Sequence, residues 1–532
     1  MNNRRLRSFA LVLLALSVSF FSDAQVQSRK LPGIINHPSF SLYAPFISFD
    51  GNALLFISND GEDGSLIVSY TSRETDWVQP VPLPKHLSHR LIYLPGFALN
   101  AGGKKMYFSA AKAPVIGGYD IMYSELKGST WGEAQNFLMP INSKSNEGCP
   151  SFTTDESAIY FMRCDKMDQK SASGCKLFSS KKKGNGQWEE PIELPASINT
   201  GNSQTPRIMA DNETLIFSSD KMPGNKGGMD LYVSKLVNGT WSAPVALDFT
   251  NTSRDDQFVS VAALGRYLLR DVPGSRNNNE LVEFLLPASI KPKSVMKVEG
   301  FVKDPSNGIV PSYISVVDRT SNKRIYRGRP AADGSYLFYI PEGSVYEFDV
   351  DPEQSNWTFF SKAFDLTTSD KIAQRERVNI TLRQPVADDE IPLDMVSLRA
   401  GTGGTLDVAA SDELKRLVRV SKANAQLSFE IQVSMTGYAE DSVRTNPDLT
   451  EVRMDTIKLQ SVTGDSTVAP QDSLKFRTVY HNDRTPAIAQ QIMTFITSQG
   501  GDAQRFTYKT AALPASTPGE KKFLVKAVAK RP

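Results

Sequence analysis

The strongest constraint on the fold of this chain is a repeat of 52 to 57 residues in its first half. Four tryptophans recur 54, 57 and 53 residues apart, at Trp77, Trp131, Trp188 and Trp241. Four phenylalanines recur 52, 53 and 56 residues apart, each ending an apolar segment that follows a polar turn: Phe56, Phe108, Phe161 and Phe217. Self-similar units of three or four short strands at this length are typical of the blades of a β-propeller.

A fifth, weaker unit covers residues 258–282 and lacks the tryptophan. The segment 31–36 is similar to the repeat ends at residues 138–142 and 194–199. We therefore expect the segment near Ile34 and Ile35 to supply a strand to the final blade and to close the ring, which removes exposed strand edges. The pattern predicts a propeller of five or six blades over residues 30–290, and a β-sandwich with coincidental spacing is the alternative.

The order of polar turn, apolar strand and second strand, with the recurrent tryptophan, resembles the TolB-type propeller repeats of envelope proteins. This resemblance covers about half of the chain and implies a propeller fold. Tryptophans at the blade interval either line a carbohydrate groove or pack between blades. We expect them to pack between blades, since large aromatic side chains dominate protein cores.

Three cysteines fall within one repeat, at Cys149, Cys164 and Cys175. Cys164 ends one predicted strand and Cys175 begins the next, so antiparallel pairing brings the two within disulfide distance. Free thiols are the alternative, and we expect Cys149 to be buried and unpaired. A zinc site is disfavoured because the chain has only four histidines and none lies near a cysteine pair.

The first residues have the pattern of a secretory signal peptide. Three arginines precede an apolar run over residues 9–21, and Ser22 and Ala24 have the spacing that signal peptidase accepts. We expect residues 1–24 to be removed, with an uncleaved anchor as the alternative. No other run is long and apolar enough to span a bilayer, so the mature chain is not expected to be transmembrane.

Charge and motifs exclude several function classes. The formal net charge is only +2, and the signal peptide carries part of it, so nucleic acid is not an expected partner. The chain has no P-loop and no G-x-S-x-G motif, and its four histidines offer little to a catalytic triad. We expect no cofactor and no catalysis, although a deep acidic pocket at the propeller centre would favour a glycosidase.

A new strand pattern begins after residue 292 and extends over residues 295–385. It contains a strand over 298–302, an Asp-Gly-x-Tyr sequence at residues 333–336 and a Pro-x-Gly turn at residues 341–343. This order resembles the carboxypeptidase-regulatory-like β-sandwich. The resemblance implies a spacer or docking module without an active site of its own.

Residues 393–532 have an α+β pattern. Ser411 is a candidate N-cap for a first helix. Apolar and polar residues then alternate over residues 427–435, which predicts a half-buried strand. Thr485-Pro486 begins a second helix that Gly500-Gly501 ends, and a final strand covers residues 523–530.

This order resembles the OmpA-like peptidoglycan-binding domain. In that family, an aspartate in a glycine turn and an arginine in the following helix hold the two charged ends of diaminopimelate. Here Glu440 occupies the aspartate position and Ile488 the arginine position. The resemblance therefore implies a degenerate site with weak or lost peptidoglycan binding, unless Arg444 or Arg484 replaces the missing cation.

Together the three domains resemble envelope proteins of Bacteroidota, including those associated with type IX secretion and gliding. The resemblance implies a periplasmic, outer-membrane-associated scaffold or docking protein whose partners are outer-membrane or periplasmic proteins. A receptor that binds carbohydrate or peptide on the propeller face is the alternative.

Overall fold

The protein is described by a computed structural model that covers residues 27–87, 92–112, 114–368, 375–397, 406, 408–437, 451–460, 472–517 and 522–531. The chain divides into two compact units, residues 1–294 and 295–532. Strands far outnumber helices in both, so the protein is mainly β. Among the described helices, none combines the length and apolar character needed to cross a membrane.

Unit 1 begins with the short strand β1 (Ser28–Lys30). Sheet 1 contains β2 (Leu42–Ile47), β3 (Ala53–Ser58), β4 (Ile67–Ser72) and β5 (Val81–Pro82). Sheet 2 contains β6 (Ile92–Leu99), β7 (Lys105–Ala110), β8 (Asp120–Lys127), β9 (Thr130–Trp131) and β10 (Gln135–Asn136). Sheet 3 contains β11 (Asn146–Phe152), β12 (Ala158–Met167), β13 (Ala172–Lys181) and β14 (Ile192–Glu193).

Two further sheets complete the described part of this unit. Sheet 4 contains β15 (Ser203–Ile208), β16 (Thr214–Ser219), β17 (Asp230–Val237), β18 (Thr240–Trp241) and β19 (Val245–Ala246). Sheet 5 contains β20 (Ser260–Val261), β21 (Tyr267–Pro273) and β22 (Asn279–Leu285), with β1 at its outer edge. All pairings are antiparallel, and apart from β1 each sheet uses strands that are consecutive in the chain.

The first strands of the five sheets form the inside of a closed ring. β2 contacts β6, β6 contacts β11, β11 contacts β15, and β2 also contacts β20. The side-chain amide of Gln257, just before β20, donates to the side-chain oxygen of Gln204 in β15 at 3.0 Å. Unit 1 therefore has a propeller-like architecture.

Every first strand, or the segment just before it, contains one residue with positive φ: Ala44, Gly96, Cys149, Thr205 and Phe258. In four of the five sheets the strand register shifts at this residue, which is the mark of a β-bulge. Glycine is required in sheet 2, because a Cβ on Gly96 would lie 2.5 Å from the Cys149 sulfur. The bulges bend the inner strands where they approach the centre of the ring.

The chain start supplies the outer strand of the last sheet, as predicted, but from a different segment. β1 pairs with β22, with Arg29 opposite Glu283. Ile34 and Ile35 lie instead in the following turn, where the amides of Ile35 and Asn36 both donate to the Pro32 carbonyl. The expected position was wrong because Pro32 has no N–H to donate and so ends the strand.

An asparagine after the outer strand holds the third strand in four sheets. The asparagine side chain forms two hydrogen bonds of 2.7–3.0 Å with the main chain of one residue in that strand. Its oxygen accepts a hydrogen bond from the amide of that residue, and its nitrogen donates one to the carbonyl. The pairs are Asn36 with Leu281, Asn142 with Ile121, Asn199 with Leu177, and Asn251 with Leu231. The similarity of segment 31–36 to repeat ends thus has a structural basis, since Asn36 binds sheet 5 as its counterparts bind theirs.

The predicted Cys164–Cys175 disulfide is present, and Cys149 is a free, buried thiol. The two bonded cysteines face each other across β12 and β13. Burial raises the pKa of the Cys149 thiol to about 12, so it is unreactive at neutral pH.

Trp77 and Trp131 are buried as expected, and Trp241 packs edge-on against Tyr160.

We expect loss of the disulfide to weaken unit 1 without unfolding it. Closing a loop of about ten residues contributes roughly 2–3 kcal/mol through the entropy of the unfolded chain. Replacing both Cys164 and Cys175 by alanine should lower the free energy of unfolding in urea by that amount. Reduction should increase the intact mass of the natural protein by about two daltons. It should destabilise the natural protein but not the doubly substituted one. Equal stability of the natural and doubly substituted proteins would contradict this.

In unit 2, two four-stranded sheets enclose one apolar core. The first contains β23 (Val295–Lys303), β26 (Ser335–Pro341), β29 (Arg375–Arg377) and β30 (Ile380–Thr381). The second contains β24 (Ser312–Asp318), β25 (Lys323–Gly328), β27 (Val345–Pro352) and β28 (Phe360–Asp365). Phe338 and Phe348 meet edge-to-face between the sheets, with ring centroids 4.9 Å apart.

The rest of unit 2 is α+β. It contains β31 (Glu390–Pro392), α1 (Val408–Ala423), β32 (Ser428–Thr436), β33 (Glu451–Gln460), β34 (Asp472–His481), α2 (Thr485–Ser498), β35 (Phe506–Leu513) and β36 (Lys522–Lys530). One sheet has the order β31-β36-β32-β35, and β33 and β34 form a separate hairpin.

Of the two predicted helices, α2 begins at Thr485 as predicted. α1 begins at Val408, so Ser411 lies inside the helix and the predicted cap was wrong.

An ion-pair network joins α1 to β27 of the sandwich. The Arg416 guanidinium contacts the carboxylates of Asp349 at 2.8 Å and Asp351 at 3.1 Å. Arg419 also contacts Asp351, at 3.1 Å. Phe359, which follows β27, packs in the same apolar cluster as α1 and α2. The sandwich and the α+β part therefore share an interface that is both apolar and charged.

Candidate functional site

The candidate site in unit 1 is a cavity of about 270 Å³ on the inner side of the ring, named here the ring cavity. Its apolar wall consists of Tyr43, Ile57, Leu66, Leu94, Pro95 and Phe258. Lys170, Asp255, Gln257, Arg270 and Asp271 supply the polar groups. These residues come from sheets 1, 2, 3 and 5, so only the assembled ring creates the cavity. An apolar pocket with a few convergent polar groups is the usual form of a ligand site.

The guanidinium of Arg270 is fully engaged within the protein. It forms a buried ion pair with Asp256 and donates to the carbonyls of Thr250 at 2.8 Å and Asp271 at 3.0 Å. Asp256 also accepts hydrogen bonds from the amide and hydroxyl of Thr252. The charges of Arg270 and Asp256 therefore compensate each other.

The carboxylate of Asp271 is held much more weakly. It accepts from the Ala44 amide at 3.3 Å and from the Asn279 side chain at 3.4 Å, both near the limit for a hydrogen bond. Within the described part of the chain, no lysine or arginine forms an ion pair with it. Burial raises the pKa of Asp271, although the nearby Arg270 opposes the shift. A carboxylate of this kind is a candidate ligand-binding group.

A second buried cation, Arg207, lies at the inner side of sheet 4. It donates to the carbonyls of Phe97 at 3.0 Å and Pro150 at 3.3 Å, and it lies over the Phe46 ring at 5.0 Å. Arg207 thus connects sheet 4 to sheets 1, 2 and 3. Burial lowers its pKa to about 10, so it remains charged at neutral pH.

The sequence did not single out Arg207, Arg270 or Asp271, because none belongs to a recognisable motif and the chain holds 58 acidic residues. For Arg207 the available signal was the repeat itself, since it lies two residues after the positive-φ Thr205 in the bulged first strand of sheet 4. In the described residues, no group of three or more His, Cys, Asp or Glu side chains has the arrangement of a metal site. The ring cavity can offer charge, hydrogen bonds and an apolar wall to a ligand.

The predicted peptidoglycan site lies in the α+β part. Ile488 is fully buried and packs in one apolar cluster with Ala489, Ile492 and Ile496 of α2. Glu440 lies outside the described residues, as does Arg444. The last described residue before them is Gly437, which follows β32 and whose amide donates to the carbonyl of Leu513 at the end of β35. Position 488 thus faces the core.

We expect Ile488→Arg to destabilise unit 2 rather than create a peptidoglycan site. A guanidinium in this core would lose its water without gaining a partner, at a cost of several kcal/mol. Gln490→Arg, on the exposed side of the same helix, should change the free energy of unfolding by less than about 0.5 kcal/mol. Thermal unfolding and sedimentation with peptidoglycan would test this, and a stable Ile488→Arg protein that binds peptidoglycan would contradict it.

Comparisons with known proteins give weak structural similarities. A protein of Agrobacterium tumefaciens assigned as TolB is 15% identical over 56% of this chain and 90% of its own, with a TM-score of 0.28. An endo-arabinase of Bacteroides thetaiotaomicron is 15% identical over 49% of this chain and 98% of its own, with a TM-score of 0.33. A family GH43 endo-arabinanase of Bacillus licheniformis is 13% identical over 47% and 97% of the two chains, with a TM-score of 0.32. No protein-family model and no curated protein sequence matches the chain.

Proposed function

We propose that this protein is a non-catalytic scaffold of a bacterial cell envelope. It is exported by the signal peptide of residues 1–24, resides in the periplasm and associates with the outer membrane. The ring of unit 1 is a closed five-bladed propeller that holds a protein partner. The observation that carries this proposal is the ring cavity, which several sheets build together and in which Asp271 has only weak protein contacts.

The proposed domains are a TolB-like propeller over residues 30–290, a carboxypeptidase-regulatory-like sandwich over 295–385 and an OmpA-like domain over 393–532. The last domain has a degenerate peptidoglycan site at Glu440 and Ile488 and serves as a docking module. Burial of Ile488 supports this, because a core position cannot present a charge to the cell wall without disrupting the packing.

The proposed partners are outer-membrane or periplasmic proteins, including components of a type IX secretion or gliding assembly. The test is crosslinking in intact cells, followed by purification of the tagged full-length protein and mass spectrometry. One outer-membrane or periplasmic protein should be enriched, and the enrichment should fall when the ring cavity is altered. Capture of cytoplasmic proteins alone would contradict the proposal.

A receptor for carbohydrate or peptide is the second candidate, because the ring cavity joins two aromatic side chains, Tyr43 and Phe258, to several hydrogen-bonding groups. It predicts measurable binding of a small soluble ligand to the purified protein. A glycan panel in which no member protects the protein against thermal unfolding would argue against the carbohydrate form.

A further inference from the structure

The charge balance of the ring cavity is uneven. Arg270 and Asp256 compensate each other, and each is saturated by further hydrogen bonds. Asp271 and Asp255 are the remaining carboxylates, and Lys170 is the remaining cation. Asp255 lies exposed and accepts from the Met229 amide at 2.9 Å, while Lys170 lies exposed in the loop between β12 and β13. The inner part of the cavity therefore presents the uncompensated Asp271 carboxylate.

A half-buried carboxylate without an ion-pair partner is costly, because it gives up water for two long hydrogen bonds. A ligand cation would add an ion pair to these long contacts and would offset the cost of removing the carboxylate from water. The charge of Arg270 is not available for this, since its donors are directed at Asp256, Thr250 and the Asp271 main chain.

The apolar wall defines the shape of a suitable cation. Leu94 and Ile57 are almost fully buried, and Tyr43 and Phe258 are partly exposed beside them. Arginine and lysine carry three or four methylene groups that pack on such surfaces while the charged end reaches a polar group. A volume of about 270 Å³ holds one side chain of this length but not a folded domain.

We propose that the ring cavity binds an arginine or lysine side chain from an extended segment of a partner protein, with Asp271 accepting its charge and the apolar wall packing its methylene groups. This inference rests on the proposed scaffold function and specifies the chemistry of the partner. Asp255, at the cavity rim, attracts the same cation, and Lys170 opposes it.

The probes are the peptide acetyl-Leu-Arg-Leu-amide and its counterpart with citrulline, which has the shape of arginine but no charge. We expect the natural full-length protein to bind the arginine peptide at least about tenfold more tightly than the citrulline peptide by calorimetry. Asp271→Asn keeps the shape of the side chain and should abolish this preference. Glu133→Gln, which changes an exposed carboxylate outside the cavity, should leave it unchanged.

Lys170→Gln provides a second variant, in an exposed loop where folding is not at risk. Removing the like charge should strengthen binding of the arginine peptide by about two- to fivefold. Equal affinity for the two peptides, or an undiminished preference in a folded Asp271→Asn protein, would overturn the inference. Displacement of the arginine peptide by a neutral oligosaccharide would overturn it in favour of a sugar site.

The outcome can be separated from that of the scaffold proposal. If crosslinking captures an envelope partner but the purified protein shows no preference for arginine, the scaffold remains and the cation site is wrong. If the preference is found and no envelope partner is captured, the cation site remains and the scaffold proposal is wrong.

Discussion

Deletion of residues 27–36 is expected to destabilise the whole of unit 1 rather than shorten one sheet. The deletion removes β1 from the edge of sheet 5, the two hydrogen bonds between Asn36 and Leu281, and the buried side chains of Leu31 and Ile35. Each large apolar side chain lost from a core costs about 2–5 kcal/mol, so the total approaches the stability of a typical domain. Circular dichroism during thermal unfolding of the full chain would measure the loss.

Two point substitutions in this segment form a matched control. Ile35 is 2% exposed and packs with Leu31 and Leu281, whereas Ile34 is 39% exposed. Ile35→Ala should lower the free energy of unfolding by about 2–4 kcal/mol, and Ile34→Ala by less than about 1 kcal/mol. Similar effects of the two substitutions, or unchanged unfolding after the deletion, would show that the chain start does not close the ring.

The stability of unit 2 is expected to fall as pH rises from about 4.5 to 8, because of Glu413 in α1. Its side chain is fully buried, and one carboxylate oxygen accepts from the Met395 amide at 3.0 Å. Burial raises the pKa of Glu413 to about 8, with Asp394 adding to the shift and Arg416 opposing it. Since its ordinary pKa is 4.5, the folded state binds more protons than the unfolded state between these values.

Linkage converts this difference in bound protons into a fall in the free energy of unfolding of about 1.4 kcal/mol per pH unit. The stabilisation from protonated Glu413 is complete below the pKa of the unfolded state and is lost as pH rises to the pKa of the folded state. Glu413→Gln should remove most of the slope and make the protein more stable than the natural one at pH 8. Burial also raises the pKa of Glu347 to about 7, so a smaller slope of the same sign should remain.

Asp412→Asn is the control, because Asp412 is the neighbouring carboxylate on α1 and is half exposed in an ion pair with Lys415. Its substitution should leave the part of the slope due to Glu413 unchanged and reduce only slightly the part due to Glu347, whose pKa Asp412 helps to raise. Thermal unfolding at pH 6 and pH 8 would compare the three proteins. A natural protein whose stability rises over this interval would contradict the raised pKa of Glu413.

Local pattern alone determined several elements. The tryptophan and phenylalanine spacing predicted successive short sheets, since a strand repeat depends on residues that are near in sequence. The alternation before Gly437 predicted β32, and Thr485-Pro486 predicted the start of α2. The disulfide was predictable because its two cysteines lie on adjacent strands only eleven residues apart.

Only the tertiary structure decided which charges are left without partners. Asp271 lies beside Ala44, 227 residues earlier in the chain, and Arg416 reaches Asp349 across 67 residues. Sequence patterns report which face of a strand or helix is buried, but not which distant residue meets it there. The composition shows that acidic residues are abundant, whereas the desolvation and ion pairing that distinguish Asp271 and Glu413 from the others arise only when sheets and helices pack.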